Sequence, residues 1–282
     1  MIRPMIAALA LTLVPAVAIA QTVPSPSPAP AASAAPSTLY PALRNNDPCT
    51  SLSAIITRPS VTNSVCTVRP NHVLVETGYT NTTTPGVGNT VTYPLTLIRV
   101  GTKIPGLEFD LTPPSVVRAS SALGKFTGTS DVGAGLKYVL GYTPKFNYGA
   151  QVFFTAPTGT NGFSANGTNA NYALQAGYTI NSVLSLSGAA QIFDFANNGA
   201  HYSSFVPSVV LSASLPMSSG VFVEAARFSN ANGAGTPARM QYMGGVTHDI
   251  GQRLQLDVEA GLSPTVATGK YHFVGFGAAY YF

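Results

Sequence analysis

The final twelve residues, YHFVGFGAAYYF, constrain the fold more than any other stretch of the chain. In an extended strand Val274, Phe276, Ala278, Tyr280 and Phe282 share one face, and Phe273, Gly275, Gly277, Ala279 and Tyr281 share the other. The first set is apolar or aromatic throughout. Such a stripe, with an aromatic at the water boundary, is what a strand needs to sit in a lipid bilayer.

The opposite end is consistent with export. Met1–Arg3 gives a positive start, Ile6–Val14 an apolar run, and Ala18-Ile19-Ala20 a small-residue cleavage pattern. This predicts a signal peptide over 1–20. The run is too short for a membrane helix, which takes about 20 residues, and Pro15 interrupts it. No Cys follows the cleavage pattern, so no lipid anchor is expected. Charged residues are only 9% of the chain and hydrophobic ones 45%. Yet after the signal no apolar run reaches helix-spanning length, so a membrane crossing must be made by strands. The net charge of +4 includes Arg3, and no basic stripe is visible, so no nucleic acid partner is expected.

In residues 21–41 Pro, Ala and Ser dominate, with no charge and almost nothing to bury, which predicts a disordered or partly polyproline linker. Residues 42–69 form a small segment, assigned to the periplasm, that contains Cys49 and Cys66. An even cysteine count in an exported chain predicts a disulfide. Two thiols without clustered His make an incomplete metal site, and no metal or cofactor is expected. Ser51–Thr57 has the makings of a helical turn. The segment either plugs the barrel or leads into it.

From residue 70 to 282 alternating segments recur between turn residues. Leu254, Leu256, Val258 and Ala260 oppose Arg253, Gln255, Asp257 and Glu259. Val132, Ala134, Leu136, Tyr138 and Leu140 oppose Asp131, Gly133, Gly135 and Lys137. The pattern gives about twelve strands, near 72–80, 91–100, 106–111, 130–140, 145–155, 170–180, 183–193, 204–215, 220–228, 239–248, 253–261 and 271–282. Connectors after even strands are brief and those after odd strands mostly longer. An all-β, antiparallel transmembrane barrel follows, with apolar residues outward, polar ones inward and both termini periplasmic. Glu224 and Arg227 cannot share a face without a bulge, which puts Arg227 at the rim.

Several patches carry a resemblance. They are Glu76-Thr77-Gly78-Tyr79, Arg99-Val100-Gly101 followed by Glu108, Gly128 leading into DVGAGLKYVL, and Pro157-Thr158-Gly159 after FFTA. In this order the chain resembles the outer-membrane family named for the meta-pathway of phenol degradation. The resemblance spans roughly residues 72–282 and implies a barrel that passes small, aromatic or apolar solutes. The terminal strand likewise resembles the assembly signal of outer-membrane barrels. Phe282, Tyr280 and Phe276 would then be read by the barrel-assembly machinery, and outer-membrane lipid and lipopolysaccharide would surround the wall.

A charge on the lipid face costs about 2–4 kcal/mol near the midplane for Arg or Lys. Glu76, Arg99, Glu108, Asp110, Asp131, Lys137, Asp257 and Glu259 are therefore expected to face the lumen. They serve either as a selectivity ring or as a structural ladder of salt bridges. Leu74 and Leu97 are anomalous, because each shares the face of a charge. The connector 112–129 is read as a loop. No Gly-x-Ser-x-Gly elbow and no metal-ligand spacing occurs, so no enzyme is expected. The expected function is a passive channel for small-molecule solutes in the outer membrane of a Gram-negative bacterium. The alternative is a structural or surface-interaction barrel.

Overall fold

Alternation of side chains becomes strand from Val73 onward, and the strands close on themselves. The computed structural model describes residues 39–43, 47–197, 200–231, 233–264 and 269–282. The expected signal peptide and all of the linker before Leu39 lie outside these residues. Among the described residues, fifteen strands make one sheet. They are β1 (Val73–Thr84), β2 (Gly88–Tyr93), β3 (Leu97–Gly101), β4 (Leu107–Thr112), β5 (Val116–Ser121), β6 (Gly124–Thr129), β7 (Val132–Tyr142) and β8 (Phe146–Ala156). There follow β9 (Asn169–Thr179), β10 (Leu184–Asn197), β11 (Ala200–Leu215), β12 (Ser219–Phe228), β13 (Arg239–Ile250), β14 (Leu254–Ser263) and β15 (Tyr271–Tyr281).

Three pairs of these strands are single staves interrupted once. Pro94 parts β2 from β3, Pro113-Pro114 part β4 from β5, and Ser130-Asp131 part β6 from β7. Proline has no N–H to give to a ladder, so pairing fails there. The breaks sit at one level and are tied together. Ser115 Oγ donates to the Pro94 carbonyl, and the Ser115 N–H to Ser130 Oγ, at 2.6 and 2.8 Å. With the pairs joined, the barrel has twelve antiparallel staves, and β15 pairs β1 from Leu74↔Tyr281 to Thr83↔His272. Beyond the breaks, β2, β5 and β6 continue the upper half of β1 as an extension past the barrel, with β6 at its edge. Sequence reading treats 81–90 and 112–129 as loops. The structure makes them hairpins instead, because runs such as TNTTT and VVRASS are strand formers on both sides of the prolines.

The two faces separate cleanly. Leu136, Leu140, Tyr172, Leu174, Val258 and Phe276 are among the large apolar residues exposed on the outside. The inward set holds the buried charges Glu76, Arg99, Glu108, Asp110 and Lys137. No bulge is needed in β12: Glu224 points in and is buried, and Arg227 is exposed on the other face. Pro207 lies one residue beyond the β11–β12 ladder, where no N–H is missed.

Residues 47–69 do not form a body apart from the barrel. Their polar atoms bond to inward-facing residues of β1, β3, β4, β7, β8, β10, β12 and β14, which surround them. The segment is thus a plug inside the ring. Its one helical turn, α1 (Leu52–Ile55), is capped by Ser51 Oγ, which accepts from the Ala54 N–H. Leu52, Ile55, Ile56 and Val68 pack with the disulfide of Cys49 and Cys66 against Leu74, Ala279 and Tyr281 of the wall. This small core explains the apolar Leu74 on a charged face: it meets the plug rather than water.

Candidate functional site

The lumen site is built around Arg99 of β3, whose side chain is fully buried. Its Nη1 donates to Glu76 Oε1 at 2.8 Å and to the Ile55 carbonyl at 2.6 Å. Its Nε and Nη2 donate to Glu108 Oε1 at 3.0 and 2.9 Å, and Nη2 also to the Cys66 carbonyl at 2.8 Å. Register produces this meeting. Leu74 lies opposite Arg99, and Gly101 opposite Glu108, so the three charges stagger along adjacent inward positions. Lys137 Nζ sits 2.8 Å from Glu108 Oε1 and donates to the Ser64 carbonyl. Asp110 Oδ2 accepts from Gln151 at 3.0 Å. A buried charge needs this kind of pairing to be tolerated.

The carboxylates also hold the plug backbone. Glu76 accepts from the N–H groups of Thr57 and Arg58, and Glu108 from that of Val68. Glu224, on the far side of the ring, accepts from the N–H groups of Val61 and Thr62 at 2.8 and 2.7 Å. Arg58 bonds Asp257 at 3.2 Å, with Glu259 at 4.0 Å. It crosses the β1–β15 joint to do so. Gly78 and Gly277 face each other there, and a Cβ on either would stand within 2.5 Å of the Arg58 side chain. The bare backbone is what lets the guanidinium lie flat against the wall.

Of the charges assigned to the lumen from sequence, the structure brings Glu76, Arg99, Glu108, Asp110 and Lys137 into one cluster. Asp257 and Glu259 form a second group around Arg58. Asp131 is apart from both. It lies between β6 and β7 and accepts from the Gly159 and Ala165 N–H groups at 2.9 and 3.0 Å, so it ties down the β8–β9 loop. Partial burial opposes its charge, but the backbone N–H donors of Ala165 and Gly159 outweigh that and hold its carboxyl below the usual range. Phe276, Tyr280 and Phe282 are exposed on the outer face, where Phe276 stacks on Tyr79 at 5.0 Å between ring centres. Sequence reading missed Arg58, Gln151, Gln191 and the anchoring role of Glu224. The polar parity of Gln151 and Gln191 was available as a signal; the pairing of Arg58 with a residue 199 positions away was not.

The plug does not fill the ring. A cavity of about 280 Å³ remains between it and the wall of β8–β14. Ser185, Ser187, Ser212, Ser214 and Thr247 line the wall side, and Thr57, Arg58 and Thr62 the plug side. These are small, uncharged hydroxyls on one side and a cation on the other. The volume is close to the lower end of small-ligand pockets, about 300 Å³.

A comparison with curated proteins finds no match. Among solved structures, the chain is similar to the COG4313 outer membrane channel from Pseudomonas putida F1. They share 17% identity and a TM-score of 0.57, over 77% of this chain and 98% of that one. The KdgM porin is similar at 12% identity and a TM-score of 0.49, over 73% and 98%. The NanC porin is similar at 9% identity and a TM-score of 0.49, over 74% and 98%. The fold shared with the channel is the closed transmembrane barrel described above. The model of the family described as "Putative MetA-pathway of phenol degradation" matches residues 56–282, from inside the plug to the last strand, and the chain belongs to that family.

Proposed function

We propose that this protein is an outer-membrane channel for passive passage of small, aromatic or apolar solutes, with its termini in the periplasm. The observation that carries the reading is the incomplete plug. A closed ring with an apolar outside and a polar inside retains a cavity of about 280 Å³ beside residues 57–62. Twelve staves lie between the eight that side chains fill and the sixteen to eighteen that leave a wide aqueous pore. The plug narrows that intermediate bore further, so the path suits small solutes and low conductance. A second reading, a structural barrel, is favoured by a different observation: the clustered carboxylates are engaged by the plug or by neighbouring cations. Single-channel recording of purified protein in planar bilayers separates the two. The channel reading expects small, discrete conductance steps and flux of small solutes into liposomes. Folded barrels that show neither would reject it in favour of the structural reading.

A further inference from the structure

We propose that the loop end of the lumen holds a binding site for a small, flat organic carboxylate, in which Arg239 takes the charge. The proposal refines the channel reading by naming a solute class and a position.

Arg239 opens β13 opposite Phe228, two and four positions before Gln241 and Met243. Met243 is buried in the lumen, packed in a cluster that Val61 of the plug joins, so parity turns Arg239 inward. Its guanidinium carbon lies 5.1 Å from the ring centre of Phe228 and 5.2 Å from that of Tyr271. Tyr271 is itself fixed, donating its hydroxyl proton to Gln241. A second group of rings is present on β10 and β11. Phe193 and Phe195 stack at 5.3 Å, and Phe195 lies 5.3 Å from Tyr202. All these rings are half-buried, so each keeps one surface for a further partner.

The guanidinium has aromatic neighbours but no anion. Its Nε is shut from solvent and meets no acceptor among the described residues. The acids of the chain are engaged elsewhere. Asp194 is held by His201 at 3.2 Å, and Asp131 by the β8–β9 loop. Asp110 is engaged by Gln151 and Arg99, and the others by the plug, Arg69 or, for Asp249, Gln255. In sequence, the stretches 198–199, 229–238 and 264–270 contain no acidic residue and one basic residue, Lys270. A forked, planar cation stacked on rings and left without a counter-charge matches a carboxylate attached to a flat apolar body. The rings take the body and the fork takes the two oxygens. One guanidinium calls for a monoanion. A solute held here would rest on the loop side of the plug, beside the cluster that contains Val61.

The test is binding of benzoate, with benzyl alcohol as the neutral counterpart, to the full-length mature barrel in detergent, read by ligand-observed NMR and calorimetry. Benzoate is expected to bind saturably, and at least tenfold more tightly than benzyl alcohol. Arg239→Gln should remove that preference while keeping heat-modifiable mobility. Equal binding of the two probes, or an unchanged preference in Arg239→Gln, overturns the proposal. The wild-type comparison alone decides it if the variant does not fold. Arg239-dependent benzoate binding in a barrel without conductance would retain the site and defeat the channel. Conductance without benzoate preference would do the reverse.

Discussion

Arg99 is fully enclosed and has no water to fall back on, so each of its donors must find an oxygen in the protein. It finds two carboxylates on the wall and two carbonyls on the plug. Removing it would leave Glu76 and Glu108 facing each other in a closed space, with Lys137 as the nearby cation. Loss of one partner from such a buried group costs about 3–5 kcal/mol. Arg99→Met is therefore expected to lower the midpoint of urea unfolding in detergent, by a shift that corresponds to an unfolding free energy smaller by that amount. Arg99→Lys should recover little of it, since an ammonium cannot bridge four sites in a plane. An unchanged midpoint for Arg99→Met would show that the cluster adds nothing to stability. The same reasoning applies to Glu108 and Asp110, two of the charges that the sequence offers either as a selectivity ring or as a structural ladder. Both are engaged, so reversing them to Lys acts first on folding.

The plug is short, and its order depends on how few conformations it has when released. The disulfide closes a loop between positions 17 apart. By the loop-entropy model that is about 3 kcal/mol for a loop of roughly 15 residues, or about a hundredfold in how often the segment opens. Cys49→Ser with Cys66→Ser should speed hydrogen exchange of residues 50–65 by that factor and leave the strands alone. Equal exchange rates would assign the order to the wall contacts instead. This is also the scale at which sequence was most and least informative. Period-two alternation exposed the strands, their faces and the inward charges, because each depends on neighbours in sequence. Leu74 beside Glu76, and Ala279 and Tyr281 on the inner face of β15, were legible hints of an apolar occupant. The hairpin extensions were not legible, because the prolines that end pairing in one ladder mark only a change of direction. The capture of Val61 by Glu224 joins residues 163 apart, and no local pattern encodes that.

At the scale of the whole molecule, the plug has a fixed base and a reaching tip. The base holds the disulfide and the Arg99 cluster. The tip, residues 60–63, crosses the bore to Glu224, Gln151 and Gln191. Replacing 60–63 by glycines removes the side-chain bonds of Thr62 and Asn63 and the Val61 side chain, and loosens the backbone that Glu224 and Gln191 hold, while sparing the base. Conductance in planar bilayers should then rise severalfold over wild type, and an unaltered conductance would place the constriction elsewhere. The joint between β1 and β15 has a consequence for the direction of travel. Among the twelve staves of the described residues, it is the ladder whose two members are not consecutive in the chain. A gap for sideways escape into the bilayer would be easiest to form there. Arg58 spans it, bonded through its N–H to β1 and through its guanidinium to β14. Parting the joint would mean giving up both holds as well as the ladder. On the channel reading, Arg58 pins this joint from within and favours exit by the ends of the barrel over exit between β1 and β15.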